Sequence, residues 1–189
     1  PDLCSPVPDI EGEPMIRRTA KALLASTAGE VIVVLGWQRE AVAQALDGLA
    51  LKCVVNPEYE EGQMSSVRAG LAGLESDASG VMICLGDQPM LEADDYNVMI
   101  AAFADIAPGR IAVPSHAGLR GNPIVMPVAS RRDILERDVN FGCRNLIEDN
   151  PGLVQVIEVD SANFGRDIDT PEDYNGAQGR PPELLPRSR

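Results

Sequence analysis

Short apolar runs rich in β-branched residues alternate along this chain with segments of helical periodicity. Residues 31–35 and 81–85 are runs of this kind, bounded by glycine or polar residues. Such runs are typical of strands that are buried on both faces of a sheet. Between them, apolar residues recur three and four positions apart, as they do over residues 38–49. The alternation predicts an α/β fold with a mostly parallel sheet and helices on both of its faces.

The chain has the length of one domain, since its 189 residues fall in the usual range of about 100 to 200. We expect one domain over residues 1–176 and a flexible tail over 177–189, which holds three prolines and three arginines. The predicted strands cover residues 31–35, 53–55, 81–85, 110–114, 123–126 and 153–159. The predicted helices cover 38–49, 93–104, 129–136, 144–148 and a segment that Ser65 and Ser66 begin as caps.

The net charge of −13 argues against polyanionic partners. Asp and Glu number 29 and Lys and Arg number 16, whereas nucleic acids and anionic membranes are bound through clustered positive charge. We therefore expect no nucleic-acid partner and no membrane partner. A small anionic substrate remains compatible with this charge, because backbone N–H groups, a few arginines and a divalent cation can bind it locally.

Two features of the sequence indicate a cytoplasmic protein. The longest apolar run, 31–35, is far shorter than the roughly 20 residues that span a bilayer. The four cysteines form no C-x-x-C pair, which is compatible with reduced thiols.

Asp87 directly follows a predicted strand, at the edge of the sheet where α/β proteins bind their ligands. Gly86 before it permits close approach, and Pro89 after it stiffens the loop. A carboxylate in this place suits Mg²⁺, which takes one or two carboxylates and completes its coordination with phosphate oxygens and water. The alternative is a carboxylate that caps the following helix, and the spacing alone does not decide between the two.

A second candidate segment surrounds the start of the helix that precedes this strand in the chain. Gly62, Ser65, Ser66 and Arg68 would supply N–H groups, hydroxyls and a guanidinium to an anion or to a nucleobase edge. The alternative is a serine-capped surface helix without a ligand.

A third candidate segment is Asp167-Ile168-Asp169, in which alternate side chains of an extended backbone would face the same side. Asp169 would then add a second carboxylate to a metal ion, or the segment is a solvated acidic turn.

Seven segments in this order resemble the MobA-like NTP transferases of molybdenum-cofactor synthesis, and most closely their cytidylyltransferase branch. The segments are Gly12-Glu-Pro-Met-Ile16, Val31-Ile-Val-Val-Leu-Gly36, Asn56-Pro57 with Glu61-Gly62 and Ser65-Ser-Val-Arg-Ala-Gly70, Leu85-Gly-Asp-Gln-Pro89, Arg120-Gly-Asn-Pro123, Gly142 with Arg144, and Asp167-Ile-Asp-Thr-Pro-Glu-Asp173.

The resemblance implies a three-layer Rossmann-like fold of the nucleotide-diphospho-sugar transferase type. It also implies a reaction, in which the terminal phosphate of molybdopterin attacks the α-phosphate of CTP and pyrophosphate leaves. The implied partners are CTP, a phosphorylated acceptor, and a molybdoenzyme or its maturation factor. Two alternatives remain: another acceptor, such as a sugar or polyol phosphate, and a catalytically silent homologue that binds nucleotide or cofactor.

The same resemblance implies roles for individual residues. Asp87 and Asp169 would be the catalytic residues and would bind Mg²⁺. The residues that would bind the nucleotide are Gly62, Ser65, Ser66 and Arg68, and those that would bind the acceptor are Arg120, Gly121 and Asn122.

One family motif does not occur in this sequence. The family begins with a Leu-Ala-Ala-Gly-x-Ser-x-Arg-Met-Gly loop and a Lys, which cradle the triphosphate, whereas Asp2 stands at the Lys position here. We expect a preceding segment of roughly 20 residues to carry this loop, since without a leading strand the 31–35 strand would keep an unpaired edge. The loop also bears on the choice between CTP and GTP.

Overall fold

Helices and strands alternate in the order that the sequence predicts. The computed structural model describes residues 8–75, 77–136, 147–148, 150–168 and 173. In chain order the strands are β1 (Asp9–Ile10), β2 (Glu13–Pro14), β3 (Ile32–Leu35), β4 (Lys52–Val55), β5 (Gly80–Ile83), β6 (Ile111–His116), β7 (Leu119–Arg120), β8 (Ile124–Pro127) and β9 (Val154–Glu158). The helices are α1 (Met15–Ala25), α2 (Arg39–Ala45), α3 (Gln63–Ala72), α4 (Ala93–Asp105) and α5 (Ser130–Glu136), with 3₁₀ turns at Tyr59–Glu61, Pro151–Leu153 and Ala162–Gly165.

The predicted strands are all present, with ends shifted by one or two residues. Helix α2 stops four residues earlier than predicted, in a turn that leads to Gly48 at a φ of 77°. The predicted helix at 144–148 falls mostly outside the described residues, and the predicted tail at 177–189 falls wholly outside them.

The strands beyond the short β1–β2 hairpin form two sheets. In the smaller sheet, β3 and β4 are parallel, with Ile32 opposite Lys52. The larger sheet has the order β5-β8-β6-β7, and β9 pairs with β6 in parallel. Because β8 is antiparallel to both β5 and β6, strands β5, β6 and β9 run in one direction. The predicted α/β fold is confirmed, with β8 and β7 as its antiparallel members. Within the described residues, β3 pairs with β4 alone and β5 with β8 alone.

Helix α3 packs against both sheets. Its Met64 and Leu71 belong to the largest buried cluster, together with apolar residues of β6 and β8. On the other side, a Cβ on Gly70 would lie 3.1 Å from a methyl group of Val34 in β3, so this helix lies close to the smaller sheet. The helix begins at Gln63 and not at the serines, because Gly62 has a φ of 100°, a backbone region that favours glycine.

The carboxyl ends of β3 and β5 lie at the same edge of the molecule. Ile16, at the start of α1, packs against the buried cluster that contains Leu35, the last residue of β3. A Cβ on Gly86, which follows β5, would lie 2.9 Å from Cδ1 of the same Ile16. The Leu35 cluster and the turn after β5 therefore both adjoin the start of α1, and because β4 is parallel to β3 the loops after these three strands are assigned to this edge.

None of the helices in the described part of the chain is long and apolar enough to cross a lipid bilayer.

Candidate active site

Asp87 lies in a turn just beyond the carboxyl end of β5. Its side chain is half-buried, and one of its carboxylate oxygens is shielded from solvent. Gly86 before it has no room for a side chain without displacement of Ile16. The turn, which we define as residues 86–90, therefore places a single carboxylate at the ligand-binding edge.

The helix that follows this turn is capped by other residues. Helix α4 has Glu92 as its N-cap, and Glu92 and Asp95 form a reciprocal capping box. In that box, the backbone N–H of Glu92 donates to Oδ2 of Asp95 at 2.9 Å. Asp87 is therefore not the N-cap of α4, and its role as a metal ligand stays a prediction.

Residues 163–168, which we call the closing segment, dock on the Asp87 turn. The backbone N–H of Ile168 donates to the carbonyl oxygen of Asp87 at 3.0 Å. At the other end of the turn, Nδ2 of Asn163 donates to the carbonyl oxygen of Met90 at 3.0 Å. Asp169, the second predicted metal ligand, follows Ile168 directly in sequence but lies outside the described residues.

Gln88 joins the turn to the closing segment through its side chain. The residue is 1% exposed, and its Nε2 donates to Oδ1 of Asp167 at 2.7 Å and to the carbonyl oxygen of Phe164 at 3.2 Å. The side chain of Ile168 packs instead with Ile10 and Met15. Asp167 is thus directed to the turn and Ile168 into the core, and the placement of Asp169 on the side of Asp167 stays a prediction.

The predicted acceptor motif meets the same closing segment. The N–H of Asn122 donates to the carbonyl oxygen of Phe164 at 2.8 Å. A Cβ on Gly121 would lie 2.2 Å from that oxygen, so only glycine allows this approach. Arg120 before them is exposed, as is Arg166 in the closing segment. The structure thus brings the Asp87 turn, the Arg120-Gly-Asn122 motif and the closing segment together around Phe164.

A second polar cluster follows β4 and is formed by Asn56, Gly62, Ser65 and Ser66, which we call the Asn56 cluster. The buried Asn56 donates from Nδ2 to the hydroxyls of Ser65 at 2.8 Å and Ser66 at 3.1 Å. Its Oδ1 accepts from the N–H of Glu58 at 2.9 Å. The Ser65 hydroxyl donates in turn to the carbonyl oxygen of Gly62 at 2.8 Å. The serines are not N-caps, since the N-cap is Gly62.

Arg68 lies on the same helix but is directed elsewhere. Its Nη2 donates to the carbonyl oxygen of Leu135 at 3.0 Å, near the end of α5. The structure does not bring this guanidinium to the Asn56 cluster, and its role with the nucleotide stays a prediction.

Two aromatic residues lie beside the Asn56 cluster. Trp37, the single tryptophan of the chain, follows β3 and is 61% exposed. Next to it, a Cβ on Gly36 would lie 2.8 Å from Cβ of Tyr59. The N–H of Asn56 donates to the carbonyl oxygen of Leu35 at 2.8 Å. The end of β3, which Gly36 and Trp37 follow, therefore lies beside the end of β4, which Asn56 follows.

Two weak acids lie behind the Asp87 turn. Burial raises the pKa of the Cys84 thiol to about 12. Burial also raises the pKa of the Tyr96 hydroxyl, with further contributions from Cys84 and Asp95. Both groups are therefore neutral near pH 7 and add no negative charge to this region.

The donor set suits a hard divalent cation. The described residues contain no group of three or more His, Cys, Asp or Glu side chains with metal-binding geometry. Mg²⁺ does not require such a group, since one or two carboxylates suffice when a substrate phosphate and water supply its other ligands. Asp87, with the charge of Asp167 on the adjoining segment, fits that chemistry.

Three residues of this region carried no sequence signal that singled them out for a role. Gln88 and Phe164 join the three segments, and Asn56 orders the start of α3. The available hints in the sequence were an amide residue directly after Asp87 and an Asn at the end of a predicted strand.

The chain resembles proteins of several described activities. It is 27% identical over 169 residues to nicotine blue oxidoreductase of Paenarthrobacter nicotinovorans, which covers 85% of this chain and 81% of that protein. It is 27% identical over 184 residues to a probable molybdenum cofactor guanylyltransferase of Natronomonas pharaonis, and this match covers 95% of this chain and 90% of that protein. It is 24% identical over 155 residues to the molybdenum cofactor cytidylyltransferase of Escherichia coli, and this match covers 82% of this chain and 77% of that protein.

Solved structures share the fold. The structure of Rv0371c of Mycobacterium tuberculosis H37Rv in complex with manganese superposes with a TM-score of 0.78 at 21% identity, and the match covers 92% of this chain and 90% of that one. The Rossmann-like nucleotidyltransferase fold implied by the resemblance is thereby confirmed.

A family model matches most of the chain. The model of the MobA-like NTP transferase domain aligns with residues 6–155, a range that includes the Asp87 turn, the Asn56 cluster and the Arg120-Gly-Asn122 motif. The chain therefore belongs to the MobA-like NTP transferase family of nucleotidyltransferases.

Proposed function

We propose that this nucleotidyltransferase transfers CMP from CTP to the phosphate of molybdopterin and releases pyrophosphate. The observation that carries the proposal is the place of Asp87, a carboxylate at the carboxyl edge of the strands that does not cap a helix and is bonded through its backbone to the closing segment. The choice of CTP and molybdopterin rests on the resemblance to the cytidylyltransferase branch.

The reaction exchanges one P–O bond for another. An oxygen of the acceptor phosphate forms a bond to the α-phosphorus of CTP, and the bond from that phosphorus to the bridging oxygen of the β-phosphate breaks. A phosphomonoester has its second pKa near 6, so the attacking oxygen is already deprotonated at neutral pH and needs no general base. Positioning and charge neutralisation are then the main requirements.

The chain's own residues supply the positioning. Asp87, with Asp169 as its predicted companion, would hold Mg²⁺, which supplies positive charge against the charge that develops on the phosphates. Arg120 and Arg166 are exposed around the same segments and would attract the anionic acceptor. On the nucleotide side, the Ser65 hydroxyl is buried and Arg68 is bonded to Leu135, whereas Gly62 is exposed and Ser66 half-buried, so Gly62 and Ser66 are the more accessible candidates for direct contact.

Pyrophosphate release tests the proposal. The full-length protein is mixed with Mg²⁺, molybdopterin and each nucleoside triphosphate in turn, with sugar and polyol phosphates as alternative acceptors. We expect release with CTP to exceed release with GTP, and Asp87→Asn to lower it about a hundredfold or more. Asp105→Asn, an exposed Asp at the end of α4, is the matched control and should retain full activity.

Each other outcome has a defined meaning. Equal release from Asp87→Asn would remove Asp87 from the site. Faster release with GTP, or with a sugar or polyol phosphate, would replace the nucleotide or the acceptor within the same reaction class. Binding of Mg-CTP in a calorimetric titration without any release would favour the silent homologue.

A second candidate is an oxidoreductase, which the similarity to nicotine blue oxidoreductase over 85% of this chain favours. Reduction of nicotine blue by NADH or NADPH, followed by absorbance, tests it on the same preparation. We expect no rate above that of the buffer. A protein-dependent rate that is absent in heat-denatured samples, together with no pyrophosphate release, would replace our proposal with this one.

A further inference from the structure

Gln88 is a buried amide whose orientation is fixed by its neighbours. Its side chain lies between Oδ1 of Asp167 and the carbonyl oxygen of Phe164, and both atoms are hydrogen-bond acceptors. Only the NH₂ end of the amide has donors, so Nε2 and not Oε1 must face them. The two N–H groups match the two acceptors.

This contact differs from the others that hold the closing segment. The bonds from Ile168 to Asp87 and from Asn122 to Phe164 join backbone atoms, which any residue type would supply. The bond from Gln88 to Asp167 joins a neutral donor to a carboxylate at 2.7 Å, within the range of charge-assisted bonds. It is therefore the contact in this region that depends on residue type at both ends.

The alternatives at position 88 are worse for defined reasons. A carboxylate there would face the carboxylate of Asp167 and a carbonyl oxygen, with no donor between them. An aliphatic side chain would leave two acceptors without their bonds in a buried place. The amide itself has a cost, because its Oε1 is buried and has no hydrogen-bond partner among the residues that the structure describes. The two neighbouring acceptors are therefore best satisfied by an uncharged side chain with two N–H donors.

We propose that Gln88 is a positioning residue of the cation site. It holds the charge of Asp167 and the closing segment beside Asp87, and so sets the affinity of the site for a divalent cation. Partners that are hydrogen-bonded to a metal ligand typically change metal affinity 10- to 100-fold when they are removed, and Gln88, which acts through Asp167, should fall at the lower end of that range. The inference rests on the proposed cation site at Asp87, and the experiment separates the two.

The test measures Mn²⁺ binding directly, by electron paramagnetic resonance of the free ion, in the full-length protein with and without CTP. Gln88→Met keeps the length of the side chain and removes both donors, and Gln88→Glu adds a carboxylate opposite Asp167. We expect about tenfold weaker Mn²⁺ binding for Gln88→Met and a larger loss for Gln88→Glu. Gln44→Met, in an exposed position on α2, is the matched control and should bind as the wild type does.

A second readout uses catalysis. If Gln88 acts through the cation, pyrophosphate release by Gln88→Met should require about tenfold more Mg²⁺ and should recover at saturating Mg²⁺. A purely structural role would lower the melting temperature and leave the Mg²⁺ requirement unchanged, and that result would overturn the inference.

Asp167→Asn keeps the inference testable if the Gln88 variants fail to fold. This change retains an oxygen that accepts from Gln88 and removes the charge, so it should weaken Mn²⁺ binding with the fold intact. Wild-type affinity in Asp167→Asn would overturn the inference. If Asp87→Asn also binds Mn²⁺ normally, the proposed cation site fails. If Asp87→Asn loses binding while the Gln88 and Asp167 variants keep it, only the role of Gln88 fails.

Discussion

The region around the Asp87 turn and the Asn56 cluster lie at the same edge of the molecule, yet they use their polar residues differently. Around Asp87, backbone bonds and the Gln88 amide hold the loops, while Glu92 and Asp95 cap the next helix. In the Asn56 cluster the side chains bind one another, and the Ser65 hydroxyl is buried and used within the helix start. A polar residue beyond a strand end can therefore join two distant segments, as Gln88 does, or order the start of a helix, as Asn56 does.

This difference predicts that the largest loss of stability follows disruption of the junction at Phe164. Gly121→Ala would place a Cβ 2.2 Å from a backbone oxygen, and neither backbone can yield without a shift of the closing segment. We expect a loss of about 3 kcal/mol, or roughly 6 to 12 °C in Tm, measured by thermal and urea denaturation.

Gly152→Ala is the control for that change, because a Cβ there would meet nothing within 4 Å. It should leave Tm within about 2 °C of the wild type. An unchanged Tm in Gly121→Ala would show that the closing segment does not hold this position.

Asn56→Ala should have the next largest effect and should act on stability more than on chemistry. The change removes one acceptor and two donor bonds from a buried place, and we expect a loss of about 1 to 3 kcal/mol in urea denaturation. The folded fraction should retain a kcat well above that of Asp87→Asn. A stable Asn56→Ala protein with the activity of Asp87→Asn would abolish the distinction between the two regions.

Substitution of Ser65 and of Ser66 should have smaller effects, and the two effects should differ in kind. Ser65→Ala removes a buried hydroxyl with two bonds and should cost about 1 kcal/mol of stability. Ser66→Ala removes a half-buried hydroxyl with one weaker bond, so its effect on stability should be smaller. If Ser66 contacts the nucleotide, its removal should instead raise KM for CTP about three- to tenfold, measured by initial rates. The reverse pattern would assign nucleotide contact to Ser65.

Much of the fold could be predicted from the sequence because burial leaves a local pattern. Apolar runs located each strand from β3 to β6, together with β8 and β9, to within two residues, and Asp87 was recognised because a strand ends just before it. The predicted N-cap of α3 was wrong by at least three residues, because the serines suggested caps whereas the backbone angle of Gly62 sets the boundary. A glycine in a loop does not reveal its φ in sequence.

The contacts that join the segments could not be predicted from the sequence. Gln88 and Asp167 are 79 positions apart, and neither residue type implies the other. The requirement for glycine at position 121 arises from the carbonyl oxygen of Phe164, which no local pattern places there. The resemblance supplied candidate residues for the site, and the structure shows which contacts hold several of them in place.

The position of Trp37 has a practical consequence. With one indole in the chain, every photon of tryptophan emission originates from the end of β3, beside the Asn56 cluster. The exposed ring will respond to any ligand that excludes water from that edge. We therefore expect the unlabelled protein to act as its own fluorescent sensor, so that occupancy of the proposed nucleotide side can be titrated apart from events at the Asp87 turn.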